Sequence, residues 1–361
     1  MDNIKVYFSD YFDVEEDVID DYGAVNISLI NDIPLFIDPF LMFNSEKTEY
    51  RKIHDDIISY LLFLQKQAEN HRTLTPGMRK AWFSFSEVKQ TWLGFSLSGN
   101  SGCGMGNKFA TELYDGLNSI FKDFGRQTVT KGHHMEKLCL ISPRVGRDKI
   151  SDFSTNFAKR FLLEYTEQFA KEYISGSKCK NFSVNKVYFD FKTKTWAART
   201  YYLPYYNGDF VLLTPNDILT RDDTFINRTD MIRNLQQITP SIPDDALRFE
   251  LNTYFRNVLA KKKKEMSQAE KDREAENLVR LHPELIDYYI RYKEDNGEQA
   301  ASISKEKVRE VQLLFNTQIS QLISLLRSKT GFYDIAPDAH DEAKKRVEFL
   351  KHVIENQDGY R

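Results

Sequence analysis

Residues 184–215 read VNKVYFDFKTKTWAARTYYLPYYNGDFVLLTP, and the fold class turns on them. Within this stretch VNKVYFDF (184–191), TWAARTYYLP (195–204) and DFVLLTP (209–215) are rich in the β-branched and aromatic side chains that fit a pleated surface. Turn residues separate them. Tyr206-Asn207-Gly208-Asp209 centres on an Asn-Gly pair, which supplies the positive backbone angles of a tight hairpin.

Working upstream, Asp152 or Ser154 can cap a helix that runs through Ile174, with Phe157, Phe161, Leu162, Tyr165 and Phe169 on its inner face. Lys137 to Ile141 reads as a short strand, and Lys108 to Phe121 as a helix with Phe109, Leu113, Leu117 and Ile120 on one side. Ala81 to Phe95 alternates loosely, as a strand does, and His54 to Gln67 carries apolar residues at helical spacing. AVNISLINDIPLFIDPFLMF (24–43) places two apolar runs around Asn31-Asp32, which predicts a hairpin or two short buried strands.

Downstream of about residue 220 no convincing strand appears. Lys261 to Arg280, KKKKEMSQAEKDREAENLVR, is a charge run that reads as an exposed helix or hinge. Lys305 to Lys329 sets Val308, Val311, Phe315, Ile319, Leu322 and Leu326 in one apolar stripe, which points to a homodimer or to packing against the body. The expected architecture is an α/β body, a mixed sheet with helices, over 1–220, followed by a mainly α-helical region over 221–361 that serves as a dimerisation segment or a linker to an effector.

Composition narrows the function classes. The 361 residues are 41% hydrophobic, enough for two cores, and 50 basic against 53 acidic residues leave a net charge of −3. A blanket attraction to nucleic acid or anionic membrane is excluded; any such contact is a local patch. Cys103, Cys139 and Cys179 form no CxxC pair, which suits a reducing compartment and argues against structural zinc. The acidic N-terminus and the lack of a run of about 18 apolar residues predict a cytoplasmic protein without a membrane span.

Three places carry chemistry. Gly99, Gly102, Gly104 and Gly106, followed by Lys108 at the head of a helix, form a loop whose backbone amides can cradle a phosphate, or else a plain tight turn; the Walker and dinucleotide spacings are absent. HHMEK (133–137) and GRDKISD (146–152) bracket a short apolar run, so Glu136, Asp148 and Asp152 can offer Mg²⁺ the oxygen ligands it prefers. Against this, Asp152 can cap a helix and Asp148 can pair with Arg147 or Lys149. Asp190-Phe191-Lys192, read as strand, puts a carboxylate and an amine on one face, the half-motif of a metal-dependent nuclease or the polar face of an ordinary strand.

IPLFIDPFLMF, the glycine loop after TWLGFS, VGRDKISDFSTN, YYLPYYNGDFVLLTPNDILTRDDTFIN and EAKKRVEFLKHVIENQDGYR together resemble an uncharacterised prokaryotic antiviral-defence family. Its longer members resemble proteins that continue past a segment similar to LKHVIENQDGYR into a PD-(D/E)xK nuclease, whereas this chain ends at Arg361. The resemblance implies a sensor or regulatory module that acts on nucleic acid, coupled to nuclease activity in a larger chain or assembly with a defence-system partner. The alternatives are an autonomous Mg²⁺-dependent hydrolase using Glu136, Asp148, Asp152, Asp190 and Lys192, and a nucleotide-binding switch on the glycine loop.

Overall fold

The computed structural model describes residues 5–71, 73–94, 107–119, 129–141, 145–221, 223–260 and 267–328. The chain divides into two compact units, residues 6–308 and a smaller one formed by 1–5 with 309–361. Residue 220 falls inside the larger unit.

The larger unit opens with α1 (Phe8–Phe12) and α2 (Glu16–Asp21). The hairpin expected over 24–43 is reduced to a two-residue strand, β1 (Phe36–Ile37), whose partner is the distant β5 (Leu219–Thr220). Pro39 is the physical reason. It has no N–H for a ladder and its fixed φ suits the first turn of a helix, so the chain turns into α3 (Pro39–Phe43), with the Asp38 carboxylate accepting Phe40 N at 2.9 Å. Next come α4 (Thr48–Asn70), longer than the expected helix, and the single turn α5 (Pro76–Met78), capped by Thr75.

Among the described residues no strand forms over 81–94; Phe95 lies outside them. Arg79–Phe83 is a π-helical turn, Lys89–Thr91 a 3₁₀ turn, and 84–88 runs extended between them. The alternation holds at Phe83 and Phe85, both buried, and breaks at buried Val88, and no strand among the described residues lies alongside. Side chains take a neighbour's place: Asn156 Nδ2 donates to Ser86 O at 2.9 Å, and Lys186 Nζ to Ser84 O at 3.3 Å. After α6 (Asn107–Ser119), the strand expected over 137–141 is instead a helix, α7 (Lys137–Ile141). A short apolar run buried on all sides does not distinguish the two by periodicity.

The long helix α8 (Arg147–Tyr173) is the spine of the unit. It starts at Arg147 behind Gly146, so Asp152 and Ser154 lie within it and neither caps it; Ser154 Oγ donates back to Ile150 O at 2.7 Å. Against α8 pack β2 (Cys179–Asp190) and β3 (Thr195–Tyr206), antiparallel with a bulge between Val184 and Tyr188, and β4 (Asp209–Phe210) completes a three-stranded sheet. Asn207 and Gly208 take φ of 46° and 88° in the β3–β4 turn, as their sequence implied. Of the run 209–215, only Asp209 and Phe210 are strand.

Beyond residue 220 the described chain is helical: α9 (Arg228–Ile238), α10 (Asp245–Ala260), α11 (Gln268–Leu281), α12 (Leu285–Asp295) and α13 (Gly297–Ser328). This is an α/β body followed by a helical region, as the sequence predicts. The charge run resolves in part. Residues 261–266 lie outside the described residues, and Ser267 with Glu270 forms a capping box at the head of α11. In the stripe, Val308, Val311 and Phe315 are buried, while the side chains of Ile319, Leu322 and Leu326 lie outside the described residues.

Candidate functional site

Three polar or aromatic places stand out among the described residues, and of the residues singled out from the sequence Asp148, Asp152 and Glu136 lie at them. At the N-terminal end of α8 Asp148 is exposed in the first turn, and Asp152 is largely enclosed one turn later. Burial, with the nearby Glu87 and Asp148 carboxylates, pushes Asp152 up to about 7, and burial raises Glu87 as well. Further along the same face, Lys159 Nζ donates to the bulge carbonyls of Asn185 (3.3 Å) and Lys186 (3.4 Å), and burial beside Lys186 pushes it down to about 8. Lys186, at φ 52°, has Lys80 as its own cationic neighbour.

Glu136 is elsewhere. It is fully buried, neither carboxylate oxygen has a hydrogen-bond partner of good geometry among the described residues, and burial together with the Asp38 carboxylate pushes it up to about 8. Asp38 accepts from Phe40 N and from Phe225 N (2.7 Å), yet burial still raises it to about 6. Alongside, His134 Nε2 lies 2.9 Å from Glu294 Oε1, and Glu294 also accepts from the backbone N–H groups of Lys131 and Gly132. The His54 ring packs 5.8 Å from that of His134, and burial pushes it down to about 3, so it stays neutral. Two of these polar groups retain an unbonded buried nitrogen, His54 Nε2 and His134 Nδ1.

The expected Mg²⁺ ligands therefore split: Asp152 has Glu87 and Asp148 as its charged neighbours, whereas Glu136 has Asp38. Among the described residues no group of three His, Cys, Asp or Glu side chains is placed to hold a metal ion. Asp190 does not share a strand face with Lys192. It ends β2, residues 191–194 form the turn, and Asp190 Oδ1 accepts Lys192 N at 2.8 Å, so the turn's amides hold the carboxyl below its usual range. Gly99, Gly102, Gly104 and Gly106 lie outside the described residues; Lys108 is exposed in the first turn of α6.

The third place escaped sequence reading. A cleft of about 390 Å³ opens between α4, α8 and the β2–β3 hairpin. α4 contributes Glu49, Lys52, Ile53 and Asp56, and α8 contributes Phe157, Arg160, Phe161 and Glu164, each set on one helical face. The hairpin adds Val187, Tyr188, Phe189, Phe191 and Trp196. Tyr188 and Phe191 are 40% and 42% exposed, large aromatics left open to solvent. The Arg160 guanidinium lies over the Tyr188 ring at 5.5 Å, and its Nε is 3.0 Å from Glu164, which also meets Arg199. The volume is that of a small-molecule site, apolar walls with a few polar groups at the mouth. The signal for it was present as two i, i+3, i+4, i+7 sets of mixed aromatic and charged residues, which a search for core faces or acid clusters passes over.

Compared with known proteins, the sequence family described as a domain of unknown function (DUF8370) matches residues 13–227. No curated protein and no solved structure matches.

Proposed function

The chain belongs to the DUF8370 family, whose matched span contains α4, α8 and the hairpin, and from that premise we propose that it is a sensor or regulatory module of a prokaryotic antiviral defence system. It recognises a nucleic-acid ligand in the aromatic cleft and leaves hydrolysis to a partner. The defence setting comes from the sequence resemblance. The observation that carries recognition over catalysis is the cleft itself, with Tyr188 and Phe191 exposed beside Trp196, because base stacking on aromatic side chains is worth about 1–3 kcal/mol per base and tolerates any sequence. The carboxylates of the nuclease alternative are divided among a turn, a buried pair and the head of α8.

Titrating the full chain with a mixed-sequence single-stranded oligonucleotide in Mg²⁺ tests this reading. The expected outcome is quenching of tryptophan fluorescence without cleavage of the strand, and loss of that quenching when Tyr188→Ala and Phe191→Ala are combined. Cleavage that disappears in Asp152→Asn would establish the autonomous nuclease instead.

A further inference from the structure

We infer that the cleft between α4, α8 and the hairpin is selective for a guanine base, with Asp56 reading its Watson–Crick edge. This rests on the proposed function and names the ligand class of the same site. The aromatic walls call for a planar group, and about 390 Å³ suits a single nucleotide rather than a folded chain. A cationic ligand is disfavoured, since the Tyr188 face already carries the Arg160 guanidinium and Lys52 stands at the same mouth.

The edge of the base is decided by what remains free at the rim. Glu164 is engaged by Arg160 and Arg199. Glu49 and Asp56 make no hydrogen bond or ion pair with the described residues, and of the two it is Asp56 that burial partly encloses, raising its carboxyl, with Lys52 and Arg160 as charged neighbours. An ionised carboxylate only accepts, so it needs a ligand edge that presents adjacent donors. Guanine N1–H and N2–H₂ supply two side by side. Adenine, cytosine and uracil each place at least one acceptor beside their donor, which a carboxylate repels. Lys52, one turn before Asp56 on α4, is positioned at the mouth for a phosphate.

Calorimetric titration of the full chain with the four ribonucleoside monophosphates tests the assignment. Guanosine monophosphate should bind at least about tenfold tighter than the adenosine, cytidine or uridine compound, the scale of one bidentate base contact. Asp56→Asn should bring guanosine monophosphate to the level of the others, and Tyr188→Ala should weaken all of them. Both side chains are exposed, so thermal melts should stay unchanged. Equal binding of the bases, a guanine preference that survives Asp56→Asn, or indifference to Tyr188→Ala overturns the inference. If no mononucleotide binds, the inference also fails, and the oligonucleotide titration decides separately whether the sensor reading stands.

Discussion

Glu136 is a fully enclosed acid whose oxygens have no hydrogen-bond partner of good geometry among the described residues and whose charged neighbour Asp38 has the same sign. A folded-state value of about 8 against the ordinary 4.5 means that the native chain holds a proton that the unfolded chain releases. The sign follows: this contribution to stability is complete below about pH 4.5, falls by up to about 1.4 kcal/mol per pH unit as pH rises towards 8, and is then lost. Glu136→Gln keeps the shape and removes the ionisation. Its stability relative to the native chain should therefore rise steadily between about pH 5 and pH 8 in urea melts, and a difference independent of pH would refute a buried, protonated Glu136. The sequence offered Glu136 and Asp152 as neighbours because both flank one short apolar run; nothing local told that their carboxyls point to different partners, Asp38 and Glu87, each supplied from more than 60 residues away.

At the scale of elements, α8 holds irregular segments in place through buried hydroxyls. Ser151 Oγ accepts Ile37 N at 2.9 Å, fixing β1, and Thr166 Oγ1 accepts Leu213 N at 2.9 Å while donating to Leu162 O. Removing either hydroxyl strands a buried N–H, so Ser151→Ala and Thr166→Val should each cost about 1–3 kcal/mol. Fifteen positions apart on a helix is roughly 22 Å, and the double variant should be additive within about 0.5 kcal/mol in chemical denaturation. Strong non-additivity would mean that the two segments unfold as one. The same feature explains which elements were legible. β2 and β3 announce themselves because strand, turn and partner lie within 28 residues of one another. The stretch 84–88 runs extended like a strand, but the groups that satisfy it, Asn156 and Lys186, come from α8 and the bulge, and no local pattern encodes a side chain replacing a strand. For β1 the partner is about 180 residues away, so the pairing of Phe36 with Thr220 was invisible while Pro39 already spoke for the helix.

For the whole molecule, a net charge of −3 bears on how a polyanion is recognised. Long-range steering contributes little, and at the cleft mouth Glu49, Asp56 and Glu164 outnumber Lys52 and Arg160. Binding through stacked aromatics and one base edge engages only one or two phosphates, so the slope of log K against log salt for a single strand should be about −1. The larger unit also carries a cationic place, Lys159 of α8 with Lys186 of the bulge and Lys80, where burial and like-charged neighbours lower both Lys159 and Lys186. If that patch were the binding surface, the backbone would be tracked over several nucleotides, and a slope of about −3 or steeper would result. Fluorescence titration across a salt series separates the two. A shallow slope that Lys80→Gln and Lys186→Gln leave unchanged keeps recognition in the cleft. A steep slope that those substitutions flatten moves it to the bulge, and the exposed Tyr188 and Phe191 would then need another occupant.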